Sequence, residues 1–209
     1  MDLETAEPAI DTSLSRRSLV TRVGAAGLAG LAAAFVIDRS TLVSAATGPD
    51  DRPGVPTNAD KLVLARVIEF ELAASALYES ALENADDDLA VAVRVMADNH
   101  RSYAEAIAGA TGISAGTADE ELVAELEPLF TGSSTDFFTS AHTLEQTAVA
   151  THTALLADYE STDAIQLTAS IAVVEARHAT VLADLLGVDD LDVLFGNEES
   201  PLDLTGDDA

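Results

Sequence analysis

Toward the end of the chain an acid and an imidazole interrupt an apolar run, Ile171-Ala172-Val173-Val174-Glu175-Ala176-Arg177-His178-Ala179-Thr180-Val181-Leu182. On a helix, positions three apart share a face, so Glu175 and His178 project together. Leu167, Ala172, Val174, Val181 and Leu182 are expected around them. Two ionisable groups inside an apolar stripe are costly unless something satisfies them. A bound metal is a common satisfier of this pair. Three other stretches carry polar side chains at comparable inward positions: Glu71 with Tyr78, His100 with Tyr103, and Glu145 with His152. Three carboxylates converging in a core must share protons, which raises their pKa values, or bind cations. Carboxylate and imidazole without thiolate suit iron or manganese, with zinc a less favoured choice.

Positioning such a set requires helices, and the periodicity supplies four. The first is predicted over 59–84, after Thr57 or Asn58 as N-cap, with the stripe Leu64, Val67, Glu71, Ala74, Tyr78, Ala81. The second, over 89–111, has the stripe Leu89, Val93, Met96, His100, Tyr103, Ile107 and stops at Gly112. Residues 112–134 form a long link with a short helical piece over 119–126 that Pro128 is expected to end. The third long helix, over 136–159, carries Phe138, Ala141, Glu145, Ala148, His152 and Leu155. Thr162 is expected to cap the fourth, over 163–186, and Gly187 to stop it. Two short connections flanking one long one give two antiparallel helix pairs, an all-α four-helix bundle with a single crossover. No run with strand periodicity competes with it.

The two halves of this pattern repeat each other. Glu71 and Glu145 lie 74 residues apart, each with a polar ring seven residues on, Tyr78 and His152. His100-x-x-Tyr103 and Glu175-x-x-His178 lie 75 apart, each running on to a helix-stopping glycine. Matching offsets are what duplication of a helix pair leaves behind.

These residues carry a resemblance. A Glu in the first helix, a Glu in the third and Glu175-x-x-His178 in the fourth resemble the ferritin-like family, across about residues 59–187. In its di-iron or di-manganese members two helices each give a Glu and two each give Glu-x-x-His. The phrase Glu175-Ala176-Arg177-His178-Ala179 is similar to the fourth-helix phrase of members that do not form cages, and Tyr78 matches a common first-helix feature. The second helix departs: His100 stands in the place of the family's Glu and Tyr103 in that of its His. A shifted alignment puts His100 on the family's His and Ala97 in the Glu place. The shared glycine register favours the first.

The resemblance implies a metal set of Glu71, His100, Glu145, Glu175 and His178, with Tyr78, Tyr103 and His152 in the surrounding layer. It implies one ion or a weakened pair, because a neutral imidazole at position 100 bridges two ions poorly. His152 is either a donor to a ligating carboxylate or a ligand itself. Tyr78 and Tyr103 read as core residues or as proton and electron suppliers. His142 falls off the inward stripe and reads as surface, and Asp86-Asp87-Asp88 as a solvated cap. The implied activity is ferroxidase or peroxide-related redox chemistry. The alternative is a non-enzymatic envelope scaffold with a degenerate site, which the missing carboxylate favours. A storage cage is disfavoured, since residues 188–209 do not resemble a fifth helix.

Composition sets the surroundings. The 209 residues contain 37 acids, 10 bases and no Cys, for a net charge of −27, with Lys61 the single lysine. Zinc–thiolate sites, disulfides and thiol catalysis are excluded. Distributed acidity with almost no lysine suits a halophilic protein in high salt, where solvent ions screen self-repulsion. It disfavours nucleic acid and anionic membranes as partners. Metal ions are the expected partners, and two copies could meet through helix faces.

At the N-terminus, Ser15-Arg16-Arg17-Ser18-Leu19-Val20 precedes the apolar stretch 23–37 and then Val43-Ser44-Ala45. This resembles a twin-arginine export signal, with cleavage expected after Ala45. The apolar stretch is shorter than the ~20 residues a bilayer span needs, so a membrane anchor is expected only if the segment stays uncleaved. The expected organisation is therefore a signal over 1–45, a flexible lead-in over 46–57, the bundle over 58–187 and an acidic tail over 188–209. The expected location is extracellular or in the cell envelope.

Overall fold

The structure, a computed structural model, describes residues 52–83, 85, 87–191, 194 and 196–204. The twin-arginine segment and its cleavage site lie outside the described residues, as do Asn84 and Asp86. The side chains of Asp87 and Asp88 are likewise undescribed. Among the described residues every regular element is a helix: α1 (Asn58–Ala81), α2 (Asp87–Thr111), α3 (Glu120–Phe130), α4 (Ser134–Leu155) and α5 (Thr162–Leu186). None is long and apolar enough to cross a membrane.

Local chemistry sets the ends. Thr57 caps α1: its hydroxyl accepts from the Asp60 amide at 3.2 Å, while the Asp60 carboxylate accepts from the Thr57 amide at 2.9 Å. Ser133 and Asp136 repeat the device at α4. Ser161, not Thr162, caps α5, its hydroxyl accepting from the Ala164 amide at 3.2 Å, and Thr162 is already helical. Gly187 ends α5 at φ 76°, in the left-handed region where a side chain would be strained.

Three helix C-termini differ from expectation. α1 stops at Ala81, and α4 stops at Leu155, where the Ala157 and Asp158 amides turn back to the Ala154 and Leu155 carbonyls. Pro128 lies inside α3 rather than ending it. It costs one amide, and α3 still gains by laying Leu122, Val123, Leu126 and Phe130 on the core.

Close backbone approach is concentrated within the pairs α1–α2 and α4–α5, with α3 lying along α1 and α4. Small side chains such as Ala73, Ala97, Ala141 and Ala183 permit this closeness. Two apolar clusters fill the interior. One gathers Phe70, Leu77, Met96, Phe130, Phe137 and Leu182; the other gathers Leu64, Ile68, Tyr103, Ile107, Leu155 and Ile171. Along α1 the first cluster takes residues 70–81 and the second 64–68, so Glu71 sits at their boundary. His100 does the same on α2, between Ala97 and Tyr103. The polar side chains form a layer between two apolar blocks.

The buried face of α5 is Ala164, Thr168, Ile171, Glu175, His178, Ala179 and Leu182. Leu167, Ala172, Val174 and Val181 are only half-buried flanks, since at ~100° per residue they stand to either side of the face that carries Glu175. The loose tail expected after Gly187 is not what residues 196–204 form. Asn197 donates to the Gln146 carbonyl at 2.8 Å, the Leu202 amide donates to the Thr151 hydroxyl at 2.9 Å, and Leu204 touches both apolar clusters. The packing of Leu204 and these two hydrogen bonds outweigh the acids around them.

Candidate metal centre

All five residues expected to hold metal meet in one layer. α1 supplies Glu71, α2 His100, α4 Glu145, and α5 Glu175 and His178. Glu71, His100, Glu145 and Glu175 are fully buried, and His178 is 6% exposed. Only at His178 does this layer reach solvent. His152 of α4, also fully buried, enters the same layer instead of standing behind it. The set is therefore three carboxylates and three imidazoles.

His100 occupies the middle. Its Nδ1 is 2.7 Å from Glu71 Oε2 and its Nε2 is 3.1 Å from Glu145 Oε1. Glu145 Oε2 lies 3.2 Å from His178 Nδ1, and Glu145 Oε1 also accepts from the Tyr78 hydroxyl at 2.6 Å. On the other side, His152 Nε2 lies 2.8 Å from Glu71 Oε1 and 3.1 Å from Glu175 Oε1. The Tyr78 ring stacks on His100 at 5.6 Å with 12° between planes, and Tyr103 meets the same imidazole edge-on at 5.8 Å.

Electrostatics follow from burial and pairing. Burial alone would raise the Glu71 carboxyl, but hydrogen bonds from His100 and His152 outweigh it and leave it below its usual range. Glu145 is likewise drawn well down, against its burial, by His178 and His100. Glu175 goes the other way: burial, too little relieved by His152, pushes it up to about 7. Burial opposes charging of His152, yet Glu175 and Glu71 lift it to about 10, and Glu145 and Glu71 lift His100 well above its ordinary value. Burial and Glu145 push the Tyr78 phenol well up. Burial with Glu175, Glu71 and Glu145 does the same to Tyr103, so both stay protonated.

The residues fit a transition-metal ion. Two groups, His100–Glu145–His178 and Glu71–His100–Glu175, each bring three ligand atoms within 4.8 Å of one another in the buried layer. Glu175 Oε2 is buried without a hydrogen-bond partner, an acceptor that either a cation or a proton would satisfy. The nitrogen and oxygen donors are those iron and manganese accept.

A model of the ferritin-like domain family matches residues 59–188. The chain belongs to the ferritin-like family. The match spans α1 to α5 and ends just past Gly187. No curated protein matches, and no solved structure matches.

Two residues of this ferritin-like bundle, one beside the centre and one at the start of α1, escaped the sequence reading. Asn99 Nδ2 lies 3.0 Å from His178 Nε2. Asn99 thus holds the His178 ring on one nitrogen while Glu145 faces the other. The signal was the adjacency of Asn99 to His100, but neighbouring positions on a helix do not share a face. Asp60, 1% exposed, accepts from the backbone amides of Glu160 at 2.8 Å and Ser161 at 3.2 Å. It ties the start of α1 to the α4–α5 turn. The expectation of Thr57 or Asn58 as N-cap does not reach Asp60 or its bonds to the α4–α5 turn. His142 stands apart from the layer, as expected, beside a cavity of about 260 Å³ lined also by Gln146, Ala179 and Asn197.

Proposed function

We propose that this ferritin-like protein is exported and binds iron or manganese in the core of its bundle, there supporting ferroxidase or peroxide-related redox chemistry. The observation that carries the reading is the buried convergence of Glu71, Glu145 and Glu175 with His100, His152 and His178 between two apolar clusters. A bound iron or manganese ion supplies electron transfer to oxygen or peroxide. The chain supplies the rest. Glu145 and His178 offer ligand atoms at the edge that meets solvent, where a small reactant would enter. The apolar clusters exclude bulk water from the remainder. The Tyr78 hydroxyl, its oxygen 2.6 Å from Glu145 Oε1, keeps a proton directed at that carboxylate. Export rests on the paired Arg16 and Arg17 and the stretch to Ala45; high-salt adaptation rests on the −27 charge.

The test is metal content. The chain, purified folded in high salt and exposed to iron, manganese and zinc in turn, should retain stoichiometric metal, and Glu145→Ala should lose it. Retention below roughly 0.2 per chain, a fifth of the single ion a mononuclear site would hold, would sink the reading.

One observation favours a second reading, a non-enzymatic scaffold. Every carboxylate of the layer already has an imidazole partner within 3.2 Å, so the layer is largely satisfied by its own side chains. Bound metal with no oxygen- or peroxide-dependent turnover would decide for it.

A further inference from the structure

The two three-residue groups share His100, and they are not equivalent. A neutral imidazole has one lone pair, so His100 ligates on one side only and donates on the other. In the Glu71 group, His152 is inserted between two of the three members, its Nε2 within 3.1 Å of both Glu71 Oε1 and Glu175 Oε1. Carboxylates accept, so Nε2 carries a hydrogen there, and that hydrogen fills the gap the two acids would offer a cation. The other group has a single carboxylate, and no further imidazole bridges its members. His100 Nε2 and His178 Nδ1 face the two oxygens of Glu145 directly, and the Tyr78 hydroxyl shares Oε1 with His100. With His100 Nε2 as ligand, its Nδ1 keeps a hydrogen aimed at Glu71 Oε2, 2.7 Å away. The His100–Glu145–His178 corner is also the one that meets solvent, through His178.

We propose that the bundle holds one ion per chain, in the corner formed by His100, Glu145 and His178, and that His152 takes the place of a second ion by bridging Glu71 and Glu175. This rests on the metal-binding reading above and specifies its number and place. It makes His152 a residue that sets stoichiometry. The Glu71 side is then a hydrogen-bonded buttress, ordering His100 through its Nδ1.

The full chain, stripped of metal and folded in high salt, is titrated with Mn(II), and anaerobically with Fe(II). Bound metal per chain is measured by elemental analysis, with electron paramagnetic resonance for manganese. Wild type should saturate at one ion. His152→Ala should admit a second, seen as two ions per chain and a spin-coupled manganese signal. Glu145→Gln should weaken the first ion by well over ~100-fold, whereas Glu71→Gln, which alters only the outer partner of His100 and keeps an acceptor oxygen, should weaken it by ~10-fold at most, the low end for such partners. Two ions in wild type would leave the metal-binding reading intact and overturn this one, as would one ion in a folded His152→Ala. Should His152→Ala not fold, the glutamine pair decides, and equal weakening by both overturns the proposal. No metal in wild type, with either probe, would bring down the metal-binding reading and this one with it.

Discussion

Replacing Tyr78 by Phe removes one hydroxyl and keeps the ring stacked on His100 and set edge-on against Phe130 and Phe137. The residue is fully buried, and its hydroxyl donates to Glu145 Oε1 at 2.6 Å. A hydrogen bond to a charged acceptor contributes ~1.5–3 kcal/mol. The lower half of that range applies here, because Glu145 keeps two imidazole partners and because phenylalanine avoids burying a hydroxyl. The expected loss for the metal-free protein is ~1.5 kcal/mol, which for a chain of this size lowers Tm by ~3–6 °C. The effect has a pH signature. Glu145 is depressed in the folded state, so the stability its ionised form contributes is fully present above the unfolded carboxyl pKa. It is lost as pH falls through the folded value. The gap between wild type and Tyr78→Phe should therefore hold from pH 7 to pH 5 and narrow in stronger acid. Chemical denaturation in high salt at several pH values measures it. A loss below ~0.5 kcal/mol at pH 7 would mean that the hydroxyl does not brace the carboxylate.

Asp60→Ala leaves the amides of Thr57, Glu160 and Ser161 without their acceptor and should cost ~3 kcal/mol by denaturant titration. Burial pushes the Asp60 carboxyl up, but its hydrogen bonds win and lower it. Its contribution is thus complete above the unfolded value and disappears as pH falls through the folded one, so the cost of Asp60→Ala should shrink in acid. Gly187→Ala meets no atom within 4 Å but must hold φ 76°, and should lose ~1 kcal/mol in thermal unfolding. Leu204→Ala should cost ~1–2 kcal/mol and raise hydrogen exchange at the Leu202 amide, since Leu204 fastens the acidic segment to both apolar clusters. An unchanged exchange rate would show that Thr151 alone holds the segment.

The helical stripes were legible because burial imposes a 3.6-residue period on composition. Leu64, Val67, Glu71, Ala74, Tyr78 and Ala81 were read as one inward face, and all are buried. Gly187 was legible because a left-handed residue at a helix end selects glycine. Depth was harder to read. Periodicity says that His152 points inward, but not that four helices bring it level with Glu71 and Glu175. That level is fixed by how far each helix slides along its partner, which the sizes of Ala and Phe at many positions decide jointly. The stripe therefore admits His152 as direct ligand or outer donor, and the structure gives it the space between two carboxylates. Asp60 and Asn99 escaped for a related reason. Their partners, Ser161 and His178, are 101 and 79 residues away.

The duplicated pattern explains why the layer is symmetric in placement and asymmetric in chemistry. Tyr78 and His152 occupy matching positions 74 residues apart, and each reaches across to the Glu of the opposite half: Tyr78 to Glu145 and His152 to Glu71. Each half thus braces the carboxylate of the other, one with a phenol and one with an imidazole. The phenol ends its reach at Glu145, whereas the imidazole continues to Glu175 and links two acids. At the second matching pair, His100 replaces the carboxylate that Glu175 retains, which removes a negative charge and adds a two-sided donor. Both changes push the same way. They reduce the negative charge that two ions would need, and they fill the Glu71 side with N–H groups. The Glu145–His178 side keeps its ligand atoms facing one another near solvent. The drift in the first half of the chain has left its helices in place and confined the metal-ready geometry to the second half and His100.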